Sequence, residues 1–229
     1  MSGSEAVEAG REPNFLLAKA EKRALRAIAA RLPRWILPDD LTALGVLSAI
    51  GICVAYQLSN DASAWLWAAS ALLIVHWLGD SLDGTLARVR GIQRPRYGYY
   101  LDHLVDAIST ALIGLGLGLS PYVLLSIGAI VVVGYLVLSI NVYLESYALG
   151  RFSIGYGLIG PTEVRLILIA LNTALALWGG LTFDLLGLGL SPLDLVGTAI
   201  AAVMVVLLAG RAARNLRELA REEPAAPRR

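Results

Sequence analysis

Charge and cysteine are both scarce in this chain. Only 16% of its 229 residues are charged and 57% are hydrophobic, a balance that no soluble domain of this length presents to water. A soluble globular fold is therefore excluded, and an integral membrane protein is implied. The single cysteine, Cys53, sits inside an apolar run. With no second thiol, an intrachain disulfide is excluded and no redox compartment can be inferred, so Cys53 reads as a packing residue. The first ten residues hold no apolar segment, and no cleaved signal peptide is expected. A net charge of +1 is uninformative as a sum, and no nucleic-acid partner is expected. The distribution says more, because the basic residues are confined to a few short segments.

A helix crossing about 30 Å of hydrocarbon needs roughly 20 mostly apolar residues. Six stretches reach or approach that length, near residues 40–59, 63–84, 99–118, 121–147, 161–181 and 192–212. The breaks between them are polar or turn-forming: Ser59-Asn60-Asp61, a loop from Gly84 to Gly98, Ser120-Pro121, Gly150 to Pro161, and Gly179 to Pro192. Seven Lys or Arg precede the first stretch, four follow the second, Arg151 and Arg165 flank the loop after the fourth, and six close the sixth, while the three opposite loops hold none. That alternation is the positive-inside pattern of six spans with both termini cytoplasmic. A miscounted span would scramble it.

Before the first span, Phe15, Leu16, Leu17, Leu25, Ile28 and Leu32 recur at roughly helical spacing, with Lys19, Lys22, Arg23 and Arg26 between them. This predicts an amphipathic helix on the inner leaflet, its basic face toward anionic lipid. The alternative is a helix packed on the protein's own cytoplasmic face. The expected organisation is a flexible N-terminus (1–13), an interfacial amphipathic helix (14–34), an all-α integral membrane domain of six transmembrane helices (37–214) and a cytoplasmic tail (215–229). Trp35, Trp65, Trp67, Tyr99, Tyr100 and Trp178 lie near span ends, where an interfacial belt accounts for them.

Composition does not explain four carboxylates: Asp80 and Asp83 at the end of the second span, Asp102 and Asp106 at the start of the third. Charges in spans cost about 2.5–3.5 kcal/mol each on insertion scales, so they need partners or a function. The i, i+3 and i, i+4 spacings place each pair on one helical face. Two such faces meeting near the inner surface are stable only around cations. Oxygen ligands select Mg²⁺, Mn²⁺ or Ca²⁺, and no suitable Cys or His set exists for a softer metal. Two divalent ions held in this way would neutralise a pyrophosphate and stabilise a leaving phosphate. Gly84 and Gly98 would let backbone approach a ligand, and Arg88 is placed to meet phosphate oxygens. Arg94 and Arg96 are loop arginines expected there in any case; they form a fringe of donor-binding candidates. Intramembrane acids also mark ion routes in transporters and channels. Those tend toward the midplane, whereas these four gather at one end. An inactive scaffold is the third reading.

The residues read Asp80-Ser-Leu-Asp83-Gly84-Thr-Leu-Ala87-Arg88, nine residues, then Gly98-Tyr-Tyr-Leu-Asp102-His-Leu-Val-Asp106. This resembles the signature of the CDP-alcohol phosphotransferase family, DxxDGxxAR followed by GxxxDxxxD, with a spacer one residue longer than the usual eight. The resemblance spans about Leu37 to Arg214. It implies that Asp80, Asp83 and Asp102 ligand two Mg²⁺ (or Mn²⁺) ions and that Asp106 is the general base. Whether Asp106 also ligands a metal stays open. Gly84, Ala87 and Gly98 would shape a cytidine pocket and Arg88 would face the donor's phosphates. The implied partners are a CDP-alcohol donor, an alcohol or lipid acceptor and membrane lipids. The family often forms dimers, and the run Gly114-Leu-Gly116-Leu-Gly118 permits close helix approach.

Members acting on phosphorylated acceptors carry a basic stretch near the end of span four. Here Asn141-Val-Tyr143-Leu-Glu145-Ser-Tyr147 holds no Lys or Arg, which favours a non-phosphorylated acceptor. Thr162-Glu163-Val164-Arg165 and Asp102-His103 resemble the choline and ethanolamine phosphotransferase branch, making His103 a catalytic candidate beside its reading as an interfacial histidine. Glu145 and Glu163 are candidates to hold an amine, or to pair with Arg151 and Arg165; for Glu163 the pairing is expected. Arg151 and Arg165 keep the alternative open, a phosphatidyltransferase using CDP-diacylglycerol with inositol phosphate, glycerol phosphate or serine.

Overall fold

The computed structural model describes residues 18–150, 160–185 and 188–224. The expected flexible N-terminus, Phe15, Leu16, Leu17, Arg151 and the end of the tail lie outside the described residues. In chain order the elements are α1 (Ala18–Ala29), α2 (Pro38–Leu58), α3 (Trp65–Arg90), α4 (Pro95–Gly118), α5 (Leu125–Leu149), α6 (Pro161–Trp178), β1 (Phe183–Leu185), β2 (Leu188–Leu190) and α7 (Pro192–Glu222).

Proline sets four helix starts: Pro38, Pro95, Pro161 and Pro192. At the first helical position the missing N–H would have no partner anyway, and the fixed φ is already helical. Six helices, α2 to α7, are long and apolar enough to cross a membrane. Their outer faces carry exposed Leu44, Leu47, Ile50, Val54, Val203 and Val206, a surface suited to lipid and costly in water. The protein is an all-α integral membrane protein.

The structure corrects the expected break between the second and third spans. α3 runs through Gly84 to Arg90, and α4 begins at Pro95, so the whole motif is helical and only 91–94 turn. Gly84 lies among helix formers, and its cost there, about 1 kcal/mol, is too small to stop a helix. Gly91 ends α3 instead, at φ 67°, a conformation glycine adopts without penalty. Its N–H bonds Arg88 O and that of Ile92 bonds Ala87 O at 3.0 Å, a Schellman-type close. The stretch from Gly179 to Pro192, expected as a turn-forming break, holds a short antiparallel hairpin pairing Phe183 with Leu190. α7 continues well past 212 because its basic, helix-favouring last turns project beyond the apolar run.

α1 packs on the bundle. Leu25 and Ala29 are buried with Leu41, Leu82 and Leu86 beneath the motif, while Lys22, Arg23 and Arg26 are exposed. A second core, built on Ile52, Tyr56, Leu66, Leu73 and Leu175, fills the other end. Within it the Tyr56 hydroxyl donates to Asn172 Oδ1 at 3.1 Å, and Asn172 Nδ2 donates to Ser70 Oγ at 3.2 Å. This buried chain ties α2, α3 and α6 where no water competes. α6 thus packs on α3, and α5 packs with α7. Asp194 caps α7 through Ser191 N at 2.8 Å and reaches Leu124 N at 2.7 Å, and Arg211 pairs with Glu145 at 2.8 Å. Both ends of α7 are thereby fastened to the α5 region.

The glycine run of α4 is spent inside the chain. A Cβ on Gly116 would lie 2.7 Å from Cys53 Cα on α2, Gly118 sits against Gly128 of α5, and Gly114 against Val132. Close approach permitted by these residues is already used between neighbouring helices of one protomer.

Candidate active site

The site begins with a helix crossing. A Cβ on Gly79 would meet Leu41 O and Gly45 N at 2.7 Å, so α2 and α3 touch through backbone one residue before Asp80. That contact brings Thr42 against the motif. Its hydroxyl donates to Asp83 Oδ2 at 2.6 Å, taking precedence over the longer contact to Pro38 O at 3.2 Å because a hydroxyl has one proton. Asp83 Oδ1 also accepts from Gly84 N. The short turn at Gly91 then returns the chain so that the first turns of α4 lie beside the last turns of α3.

The four aspartates converge from these two helices. Asp106 lies in hydrogen-bonding contact with Asp80, and Asp102 lies within electrostatic range of Asp80 and Asp106. Asp102 is also in range of Asp83. Asp80 is engaged from a third helix: Arg165 of α6 donates to Asp80 Oδ2 at 2.6 Å, with both side chains largely buried. His76, one turn before Asp80 on α3, is buried with no partner for Nδ1 and senses both members of that pair. Tyr143 of α5 faces Asp102 and Asp106. Like charges at such range in a low-dielectric setting need a counter-cation, and Arg165 supplies one.

The residues present fit divalent cations. The donors are carboxylate oxygens, the chemistry that Mg²⁺ and Mn²⁺ take. Among the described residues no three acidic or histidine side chains are closed around a single ion, since Asp80 is turned to Arg165 and Asp83 to Thr42. A Cβ on Gly98 would meet nothing within 4 Å, and one on Gly84 would meet only the Arg88 guanidinium, at 3.4 Å. Gly98 thus borders open space, and at Gly84 only the movable end of Arg88 would be met.

The remaining candidates are distributed as follows. Ala87 is half-buried beside the cluster, and Arg88 is exposed, with Nη2 donating to Thr85 Oγ1 at 3.1 Å. His103 Nδ1 is held by Tyr99 O at 2.7 Å, its ring stacked on Tyr99 and edge-on to Tyr143. Arg94 turns back to α2, where its Nη2 donates to both carboxylate oxygens of Asp39, and it lies over the Tyr97 ring; Arg96 is exposed. Glu145 is engaged by Arg211 on α7, so the expected choice between an amine and Arg151 or Arg165 is met by a residue the sequence did not suggest. Glu163 Oε2 caps α6 through Gly160 N at 3.0 Å, and the arginine expected beside it, Arg165, goes to Asp80. Arg151 lies outside the described residues.

Sequence reasoning missed Thr42, His76 and the role of Arg165. A signal existed for His76, whose i, i+4 spacing from Asp80 puts it on the motif's face. Thr42 and Arg165 are brought in by helix crossings, which no local spacing encodes.

Eleven chains of solved structure match this one. One is the phosphatidylinositol phosphate synthase of Mycobacterium tuberculosis, determined with CDP-DAG bound, which is 25% identical with a TM-score of 0.61 over 84% of this chain and 94% of its own. No curated protein matches. The model of the CDP-alcohol phosphatidyltransferase family matches residues 35–210, a span that takes in the α2–α3 crossing, all four aspartates and Arg165, and this transferase chain belongs to that family.

Proposed function

We propose that the protein transfers a phosphatidyl group from CDP-diacylglycerol to the hydroxyl of a small, phosphate-bearing alcohol, releasing CMP at the cytoplasmic face. One observation carries this reading above all: four carboxylates and Arg165 converge where α3, α4 and α6 meet. The CDP-DAG-bound relative supports the lipid donor. Four residues that suggested choline or ethanolamine are engaged otherwise: Glu163 caps a helix, Thr162 bonds Glu21, Arg165 holds Asp80, and His103 is held by Tyr99; although 141–147 holds no cation, Arg165 supplies one from α6.

Asp80, Asp83 and Asp102 would hold two divalent cations, with Asp106 at the edge of that set. When bound, such ions neutralise the pyrophosphate and the charge developing on the leaving group. Asp106 accepts the proton of the acceptor hydroxyl. The freed oxygen bonds to the phosphorus nearest the diacylglycerol, and the bond from that phosphorus to the CMP oxygen breaks. Gly84, Ala87 and Gly98 leave room for the cytidine, and Arg88 pairs with the departing phosphate. Arg165 meets the acceptor's phosphate once Asp80 no longer engages it. The half-buried Tyr143 beside the cluster would help limit water, whose attack would compete with the acceptor.

The test is CMP release by protein in nanodiscs with Mg²⁺, pairing CDP-diacylglycerol, CDP-choline and CDP-ethanolamine with glycerol phosphate, inositol phosphate, serine and diacylglycerol. CDP-diacylglycerol with a phosphorylated alcohol is the expected pair, and Asp106→Asn abolishes release. Turnover of a CDP-amino alcohol with diacylglycerol would overturn the substrate assignment; release that survives Asp106→Asn would overturn the base.

A further inference from the structure

Glu21 lies on α1, outside the span matched by the family and away from the aspartate motif. Its Oε1 nevertheless accepts two hydrogen bonds, from Trp77 Nε1 at 2.7 Å and from Thr162 Oγ1 at 2.8 Å. Trp77 stands three residues before Asp80 on α3, and Thr162 stands three residues before Arg165 on α6. One carboxylate oxygen thus joins the same two helices that the Asp80–Arg165 pair joins, one helical turn along each from that pair. The carboxylate is half-buried and its two donors are neutral, so the bonds are of the charge-assisted kind, stronger than neutral ones. α1 itself is seated by Leu25 and Ala29 on the residues beneath the motif, which fixes the carboxylate in place.

We propose that Glu21 is a positioning residue for the active site: by stapling Trp77 to Thr162 it sets the register of α6 on α3, and so keeps Arg165 on Asp80 until a divalent cation displaces it. This rests on the reading of the four aspartates as a divalent-cation site. It gives the N-terminal helix a role in the reaction that packing alone does not. Removing the staple lets α6 shift, weakens the hold of Arg165 on Asp80, and so removes a competitor of the incoming cation. The consequence has an informative sign. Loss of a negative charge weakens cation binding through space, whereas loss of this staple strengthens it.

The experiment measures Mn²⁺ affinity of the full chain in nanodiscs without substrate, by electron paramagnetic resonance, together with melting temperature. Glu21→Ala is expected to bind Mn²⁺ about three- to tenfold more tightly than wild type, in the lower part of the range of coupling between groups in one network. Glu21→Gln keeps an accepting oxygen and is expected near wild type. Arg165→Gln is expected to bind more tightly as well, and adding Glu21→Ala to it gives no further gain. Arg211→Met, which breaks the α5–α7 pair without touching α1, α3 or α6, lowers the melting temperature and leaves Mn²⁺ affinity unchanged. Weaker or unchanged binding in Glu21→Ala overturns the proposal, as does full additivity with Arg165→Gln. If wild-type protein binds no Mn²⁺, the cation site and this proposal fall together; if wild type binds and Glu21→Ala matches it, only the proposal falls.

Discussion

Replacing Gly79 with alanine adds one methyl group at the point where α2 and α3 are closest. Its Cβ would stand 2.7 Å from both Leu41 O and Gly45 N, and 3.0 Å from Gly45 Cα, where ordinary contact begins at 3.4 Å. All three are backbone atoms, so no rotamer change relieves the clash and the helices must part by roughly 0.7 Å. Overpacking of this kind costs about 1–3 kcal/mol, partly offset by the gain of about 1 kcal/mol for alanine over glycine in a helix. The net loss of stability is therefore modest, about 2 kcal/mol at most. Activity suffers more, because Asp80 follows Gly79 directly and Thr42, which orients Asp83, sits on the helix being pushed away. Misplacement of about 1 Å at a reacting centre costs up to 10²-fold, so CMP release per folded molecule should fall at least tenfold. Gly45→Ala is the control from the same crossing. Its Cβ meets Asp80 N at 3.6 Å and two other backbone atoms at 3.9 Å, all ordinary contacts, and it should leave melting temperature and activity at or above wild type. Melting in nanodiscs and CMP release decide the matter. Equal damage from both substitutions, or none from Gly79→Ala, would refute the argument from backbone contact.

Further expectations follow from the polar contacts. Thr42→Val removes the donor to Asp83 and should weaken Mn²⁺ binding about 10–100-fold, the usual effect of losing a group that orients a metal ligand; Thr42→Ser should restore it in the same titration. Asn172→Leu breaks the Tyr56–Asn172–Ser70 chain and should lower stability by only about 0.6–1.7 kcal/mol, since hydrogen bonds between membrane helices are modest; denaturant melts in mixed micelles measure this. Arg211→Met strands Glu145, whose side chain is 11% exposed. That should cost about 3–5 kcal/mol, with most of it recovered in Arg211→Met/Glu145→Leu, as judged by thermal melting.

Much of this arrangement was legible before any coordinates. Run length and the sorting of arginines gave six spans, whereas the prolines at 38 and 95 start their helices a few residues earlier than the expected spans. The aspartate spacings gave two acidic faces and the reason they need cations. The length of α3 was misjudged because Gly84 was weighed as a breaker, although a single glycine among Leu, Ala and Arg does not end a helix. The partners of charged groups were the least readable. Glu145 and Arg211 lie on helices with one other span between them, and Arg165 reaches Asp80 only because α6 packs on α3. Nearness in sequence suggested Glu163 for Arg165, and helix packing decided otherwise. The amphipathic pattern before the first span was real, but its apolar stripe serves the bundle at Leu25 and Ala29.

The pairing of Glu145 with Arg211 also bears on how the chain is made. The ribosome delivers α5 long before α7, so during synthesis Glu145 stands without Arg211. α6 cannot relieve it, since its own arginine is committed to Asp80. Until the last helix arrives, α5 lacks the partner that Glu145 has in the finished fold, and a chain cut short before Arg211 never acquires it. A chain that ends before Arg211 should therefore be less stable than the loss of its last turns alone would make it.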